Sequence, residues 1–330
     1  MTEKGRALWI LAILSPVVAE LLSGSSPPLE FFSPISFAFL LGLYGGGVLI
    51  VRELSVIWGR GWMSVIVMGA AYGILEEGVA VKSFFDPNWM DLGGLGVYGR
   101  LLGTNWVWAV WLTIFHATIS ITLPILFITL LYPHLKGERI LTRRRFEIVL
   151  VLLFFDVLGC TFILNPYVPL MPMYFLAVVA VFGLVFYAKE IPKDFMMPRN
   201  PLPTWSPRRF FILGFMMMFV SFVISGGFAN SGVPFIVPIV LLLLIAAFVL
   251  FEIQRHMGCT NNRPQAAYLA AGFLGLWVPF GIVLEINGMP GMSVTALVTA
   301  LFIVDFTRWS RGKRVFIFRV GRFLYPNRQV

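Results

Sequence analysis

Apolar residues run along this chain in blocks of about 20, each closed by a cluster of Gly, Pro, Asn or Ser. Ten such blocks fall at 7–23, 35–58, 62–82, 105–131, 146–164, 171–187, 210–228, 234–251, 265–282 and 294–306. Blocks of this length cross a hydrocarbon core roughly 30 Å thick as helices. The pattern predicts an all-α fold, a polytopic membrane helix bundle of about 10 transmembrane helices. The expected location is the cell membrane, with multiple passes.

Loop charges give this bundle a direction, because Lys and Arg collect on the cytoplasmic side of a membrane. On a ten-span path, only Lys82 and Arg100 of the 25 Lys and Arg residues fall on the outer side. Both termini are therefore expected inside. The outer half carries Glu20, Glu30, Glu76, Glu77, Asp86, Asp91 and Glu285 and is net acidic. Composition agrees with a membrane chain: 58% of residues are hydrophobic and only 12% charged, where globular domains have about a quarter charged. The net charge of +9 reads as a topology signal. The expected partner is the lipid bilayer, and no nucleic acid is expected. Lys4 and Arg6 precede the first block as in a signal peptide, but no clear small-x-small cleavage site follows and Pro16 and Glu20 are odd there, so a retained helix is expected. Cys160 and Cys259 fall at opposite levels, so no disulfide is expected.

No internal repeat is visible. The chain reads as a single integral membrane domain over 1–330, with the polar residues in helices one to five and an apolar scaffold in helices six to ten. A basic and aromatic tail, 308–330, suits the anionic inner leaflet. The outer loop 83–104 is rich in glycine and aromatics. It fits an interfacial loop anchored by Trp89 and Tyr98, or a re-entrant lid.

Chemistry concentrates in two neighbouring blocks. Glu76 and Glu77 stand in the third, about 9 Å below its outer end. Ionisable groups at such depth are costly and point to function. Gly69, Gly73 and Glu77 recur at four-residue spacing, a small-residue seam that turns Glu77 toward another helix. His116, in the fourth block, shares a face with Thr113 and Ser120. Pro124 leaves the Ser120 carbonyl without its helical donor and predicts a distorted helix there. Glu76, Glu77 and His116 are the candidate catalytic residues. Glu20, Lys82, Asp86, Arg100, Ser120 and Asp156 are candidates for the surrounding cavity. Lys82 and Arg100 are available to pair with the acids, and Asp86 before Pro87 suits a turn. Arg52 and Glu53 read as an ion pair toward the inner side. No cofactor is expected; Glu76, Glu77 and His116 could together take a metal, although no residue pattern calls for one. There is no HExxH, Walker lysine, GxGD, or GxGxxG after a strand.

The Glu76–Glu77 pair followed by His116 resembles the CPBP group, the Abi or CaaX-processing type of intramembrane protease. That group carries EExxxR on one helix, FxxxH on a later one and a further polar pair on a third. Here Val81 holds the arginine position with Lys82 beside it, Leu112 holds the phenylalanine position, and Asp156 is the nearest polar residue for the third helix. The resemblance implies a glutamate that activates water and a histidine that stabilises the oxyanion, acting on a membrane peptide. The same region also resembles uncharacterised multipass proteins with a YGxxEEG…KSFFDPNW…NWVW…FHA pattern. Three functional classes follow: an intramembrane peptidase-like hydrolase, a non-catalytic membrane scaffold or assembly factor, and a proton- or cation-coupled small-molecule transporter.

Overall fold

The structure, a computed structural model, describes residues 2–198, 202–257, 262–313 and 315. Its ten long helices follow the ten apolar blocks. They are α1 (Glu3–Pro16, continued by Val17–Leu21), α2 (Pro34–Ile57), α3 (Trp62–Ala80), α4 (Trp106–Leu131) and α5 (Arg143–Leu164). The second half supplies α6 (Met171–Glu190), α7 (Pro207–Gly227), α8 (Ile236–His256), α9 (Arg263–Ile286) and α10 (Met292–Ser310). The chain is an all-α polytopic bundle. Among the described residues, nine helices are long and apolar enough to span. α1 falls outside that group because it carries Glu3, Lys4, Arg6 and Glu20. Cys259 and nearly all of the 308–330 tail beyond Lys313 lie outside the described residues.

Helix starts follow local chemistry. Thr2, Ser33, Asn105 and Thr142 accept hydrogen bonds from the backbone of the first turns of α1, α2, α4 and α5. Proline opens α2 and α7, where a missing N–H costs nothing.

α4 is the pivot of the bundle. It packs on α1, α2 and α3 on one side and on α7, α8 and α9 on the other. In α3 and α4, 72% of the apolar core segment is buried, against 11–17% in α5, α6 and α8. The two central helices are thus sealed by protein, and the three peripheral ones present apolar faces outward. α3 meets α4 through the predicted glycine seam. A Cβ on Gly69 would stand 2.9 Å from Ala117 Cα, and one on Gly73 would stand 2.9 Å from His116 Cβ. Only glycine allows that approach.

Five helices widen at one point into i→i+5 turns: Val17–Leu21, Leu41–Gly45, Ile74–Ala80, His116–Thr122 and Cys160–Leu164. Such turns are uncommon and recur at functional sites. The one in α4 is the distortion expected at Pro124. The Ser120 carbonyl freed by that proline accepts the Ser15 hydroxyl of α1 at 2.6 Å.

The outer segment 83–104 is folded. Phe84, Phe85, Leu92 and Leu95 are buried, while Met90, Val97, Leu101 and Leu102 are exposed. It ends in a two-stranded hairpin, Arg100–Leu101 against Thr104–Asn105. Leu102 and Gly103 make its turn with φ of 53° and 75°, as a tight hairpin of this hand requires. Asn105 fastens it from within, donating through Nδ2 to the Leu95 carbonyl at 2.6 Å.

Candidate functional site

All the ionisable groups of the site lie on, or just beyond, the widened turns. Glu20 is on the α1 turn, Glu76 and Glu77 on the α3 turn, and His116 with Ser120 on the α4 turn. Tyr44 joins them from the α2 turn. A turn with one extra residue breaks the regular 100° phase, so adjacent residues such as Glu76 and Glu77 can serve one centre.

The geometry is compact. His116 Nε2 lies 3.0 Å from Glu77 Oε1 and 3.1 Å from Glu76 Oε2. Orientation separates these two contacts: the first is a hydrogen bond, whereas Glu76 Oε2 has no hydrogen-bond partner. The residues are 4%, 8% and 1% exposed for Glu76, Glu77 and His116, so no bulk solvent shields them. Each is also held from behind. His116 Nδ1 meets the Ser120 hydroxyl at 2.9 Å. Glu77 Oε2 accepts from the Ser83 hydroxyl, which in turn accepts from Trp108 Nε1 at 3.1 Å. Glu76 Oε1 lies 3.1 Å from the Tyr44 hydroxyl, whose other contact is Glu20 Oε1 at 2.5 Å. Ser26 donates to Glu20 Oε2 at 2.9 Å. Three carboxyl groups and one imidazole therefore form a single connected network. Aromatic rings wall it in: Tyr44, Tyr72 and Phe115 stand 6.0, 6.1 and 5.2 Å from the imidazole.

The outer cations do not neutralise these acids. Lys82 is buried, in a left-handed backbone position with φ of 61°. Its ammonium donates to the carbonyls of Thr161, Asn165 and Tyr167 at 2.8, 2.5 and 2.7 Å. It caps the end of α5, where exposed carbonyls attract positive charge. Burial pulls its pKa below the ordinary value, and Asp86 acts in the opposite sense. Arg100 donates to the carbonyls of Phe85 and Gly103. Asp86 makes the expected turn, accepting from the Asn88 backbone at 2.9 Å. Asp156, the polar residue nearest a third helix of the protease type, packs against α2, with its carboxylate filling the space a Cβ on Gly42 would need. It makes no side-chain hydrogen bond among the described residues. Of the sequence candidates, Glu20, Glu76, Glu77, His116 and Ser120 come together; Lys82, Asp86, Arg100 and Asp156 belong to other contacts.

Tyr44, Ser83 and Trp108 were not legible as members of the site. Tyr44 sits in a glycine-rich apolar run and Ser83 at a loop edge, with no spacing that ties either to the acids. Tyr44 is one of the largest fully buried side chains and carries a hydroxyl, and only the fold shows where that hydroxyl goes.

The sequence model of a group described as "Uncharacterized membrane protein family" matches residues 9–315. The chain belongs to that family. The matched segment contains every residue of the network, which four helices supply, and the folded loop 83–104. It accords with the likeness carried by the EEG…FDPNW…FHA stretch, and it lends nothing to the likeness to CPBP proteases. No curated protein and no solved structure matches the chain.

Proposed function

We propose that this integral membrane protein is a hydrolase that activates water within the bilayer at Glu76, Glu77 and His116. The observation that carries the reading is the buried Glu76 Oε2, which has no hydrogen-bond partner and lies 3.1 Å from His116 Nε2. A free carboxylate oxygen beside an imidazole is the arrangement that general-base chemistry requires. With the Ser120 hydroxyl donating to Nδ1, Nε2 carries a proton. Glu76 takes a proton from water, and the oxygen of that water bonds to an amide carbonyl of a membrane peptide. His116 shares its Nε2–H between Glu77 and the oxyanion. On collapse the C–N bond breaks, and the amine leaves with the proton Glu76 has held. Glu77, fixed by His116 and Ser83, orients the imidazole.

The test is isotopic. Membranes containing wild-type or Glu76→Gln protein are incubated in ¹⁸O water, and new peptide C-termini are sought by mass spectrometry. Heavy-oxygen termini in the wild type, reduced at least roughly 100-fold in Glu76→Gln, are expected from the loss of a general base. Identical product sets would overturn the reading.

One observation favours a second reading. The path from Glu20 through the Tyr44 hydroxyl to Glu76, then across the 3.1 Å approach to His116 and its hydrogen bond to Glu77, could relay protons for a coupled transporter. It predicts proton flux into proteoliposomes that stops in Glu20→Gln, with no peptide cleaved.

A further inference from the structure

We infer that Glu76, Glu77 and His116 form a binding site for a divalent transition-metal cation of the zinc class. Three side chains on two helices each offer one ligand atom, and those atoms lie within 4.8 Å of one another. The two separations from the imidazole, 3.0 and 3.1 Å, are close to the edge of a tetrahedron. With zinc–nitrogen and zinc–oxygen bonds of roughly 2.0–2.2 Å, that edge is about 3.3 Å. The third separation, between the two carboxylates, is at most 4.8 Å, so rotation of the glutamate side chains would close the three atoms round the ion.

The second observation is independent of the clustering. Glu76 Oε2 is a buried carboxylate oxygen with no hydrogen-bond partner, and it is aimed at the other two ligand atoms. Leaving such a buried charged atom without a partner is costly; a cation removes that cost.

The surroundings complete the argument. Every atom that faces away from the centre is already tied: His116 Nδ1 to Ser120, Glu77 Oε2 to Ser83, and Glu76 Oε1 to Tyr44. Metal ligands characteristically have their outer atoms fixed in this way, which sets the imidazole tautomer and the carboxylate orientation. In the other tautomer, opposite to the one the hydrolytic reading uses, Ser120 accepts from Nδ1–H and the Nε2 lone pair is free for the ion. Charge points the same way. Glu20, Glu76 and Glu77 share one buried region with a single imidazole, and the ammonium of Lys82 is spent on backbone carbonyls. The donor set selects among ions: calcium and magnesium take six or more oxygens, whereas one imidazole and two carboxylates suit zinc and its neighbours. Three protein ligands leave a fourth position for water.

This inference goes beyond the hydrolytic reading and does not depend on it. Full-length protein in detergent is stripped with a chelator, dialysed against zinc chloride and assayed for bound metal. One zinc per chain is expected, with first-shell nitrogen and oxygen at roughly 2.0–2.2 Å, imidazole outer-shell scattering and no sulfur. Tyr44→Phe, which removes a hydrogen bond behind a ligand, should weaken zinc binding roughly 10–100-fold. Glu76→Gln and His116→Ala should abolish stoichiometric binding, and Asp156→Asn should leave it intact. Where a ligand variant fails to fold, the wild-type scattering decides. No stoichiometric zinc in the folded wild type, sulfur in its first shell, or full zinc in folded Glu76→Gln and His116→Ala would each overturn the site. Bound zinc without peptide cleavage removes the hydrolytic reading and leaves the site. Cleavage that persists after chelation, in protein that binds no zinc, does the reverse.

Discussion

At the scale of single residues, the site depends on atoms that are absent as much as on those present. Gly73 has no Cβ, and a methyl there would meet His116 Cβ at 2.9 Å and Thr113 Cα at 3.2 Å. Neither neighbour is the end of a flexible side chain. Gly73→Ala should therefore destabilise the protein by about 1–3 kcal/mol, as overpacking does, and it should push the imidazole off its line to Glu77. Thermal unfolding in detergent, with the His116 imidazole resonances followed by NMR, would show both effects; an unchanged melt would refute the seam. Tyr44 makes the complementary point. Its hydroxyl joins two carboxyl groups, so Tyr44→Phe should cost about 1–3 kcal/mol through lost buried hydrogen bonding, where a ring that merely fills space would lose almost nothing. The glycine spacing was readable because a four-residue stripe of small residues has a geometric meaning. The partner of a lone tyrosine hydroxyl was not, because a single polar atom leaves no periodicity.

At the scale of elements, buried polar contacts fasten loops to helices. Glu53, fully buried in α2, binds Arg52 at 2.5 Å, Arg139 Nε at 3.2 Å and the Ile140 backbone N–H at 2.9 Å. Arg52 also donates to the Leu135 carbonyl at 2.9 Å. The pair read from sequence as a simple interface ion pair is in fact a clamp on the loop between α4 and α5. Glu53→Ala takes the shared carboxylate from two guanidinium groups and a backbone N–H and should cost about 3–5 kcal/mol. The exposed Arg143–Glu147 pair is the control: Arg143→Ala should change stability by less than about 1 kcal/mol. Equal losses in the two melts would contradict the clamp. Helix existence was legible throughout, because a 20-residue apolar block in lipid has no alternative to a helix; helix ends were less so, and α8 runs to His256 where its block stops at 251. The widened turns were not, apart from the one beside Pro124, since an added residue in a wholly apolar run does not disturb its hydropathy.

At the scale of the whole molecule, the bundle separates a polar interior from an apolar exterior. α3 and α4 carry Glu76, Glu77 and His116 and are sealed by their neighbours, whereas α5, α6 and α8 expose Phe155, Phe182 and Phe248. The loop charges predict which end faces the cytoplasm. In a Cys259→Ser background, Lys136→Cys should react with a membrane-impermeant thiol reagent only in inverted vesicles, and Asn88→Cys only in intact cells; both positions are exposed. Labelling of position 136 from outside would reverse the assigned direction and place the acid network at the inner face. The direction rests on counting ten crossings, and Thr2→Cys, exposed before α1, should label from the same side as position 136 when α1, with its four charges, makes a full passage.

The broadened turn of α3 also sets the register of everything that follows it. There the Val81 N–H reaches back five residues to the Glu76 carbonyl at 2.9 Å, so the winding carries one residue more than a regular coil. Excising Gly78 would let the coil close normally and swing Lys82 and Ser83 by about 100° around its axis. The ammonium would leave its nest of carbonyls, and the serine would leave Glu77. One surplus residue thus acts as a spacer that lets a single strand of chain serve two polar centres at once.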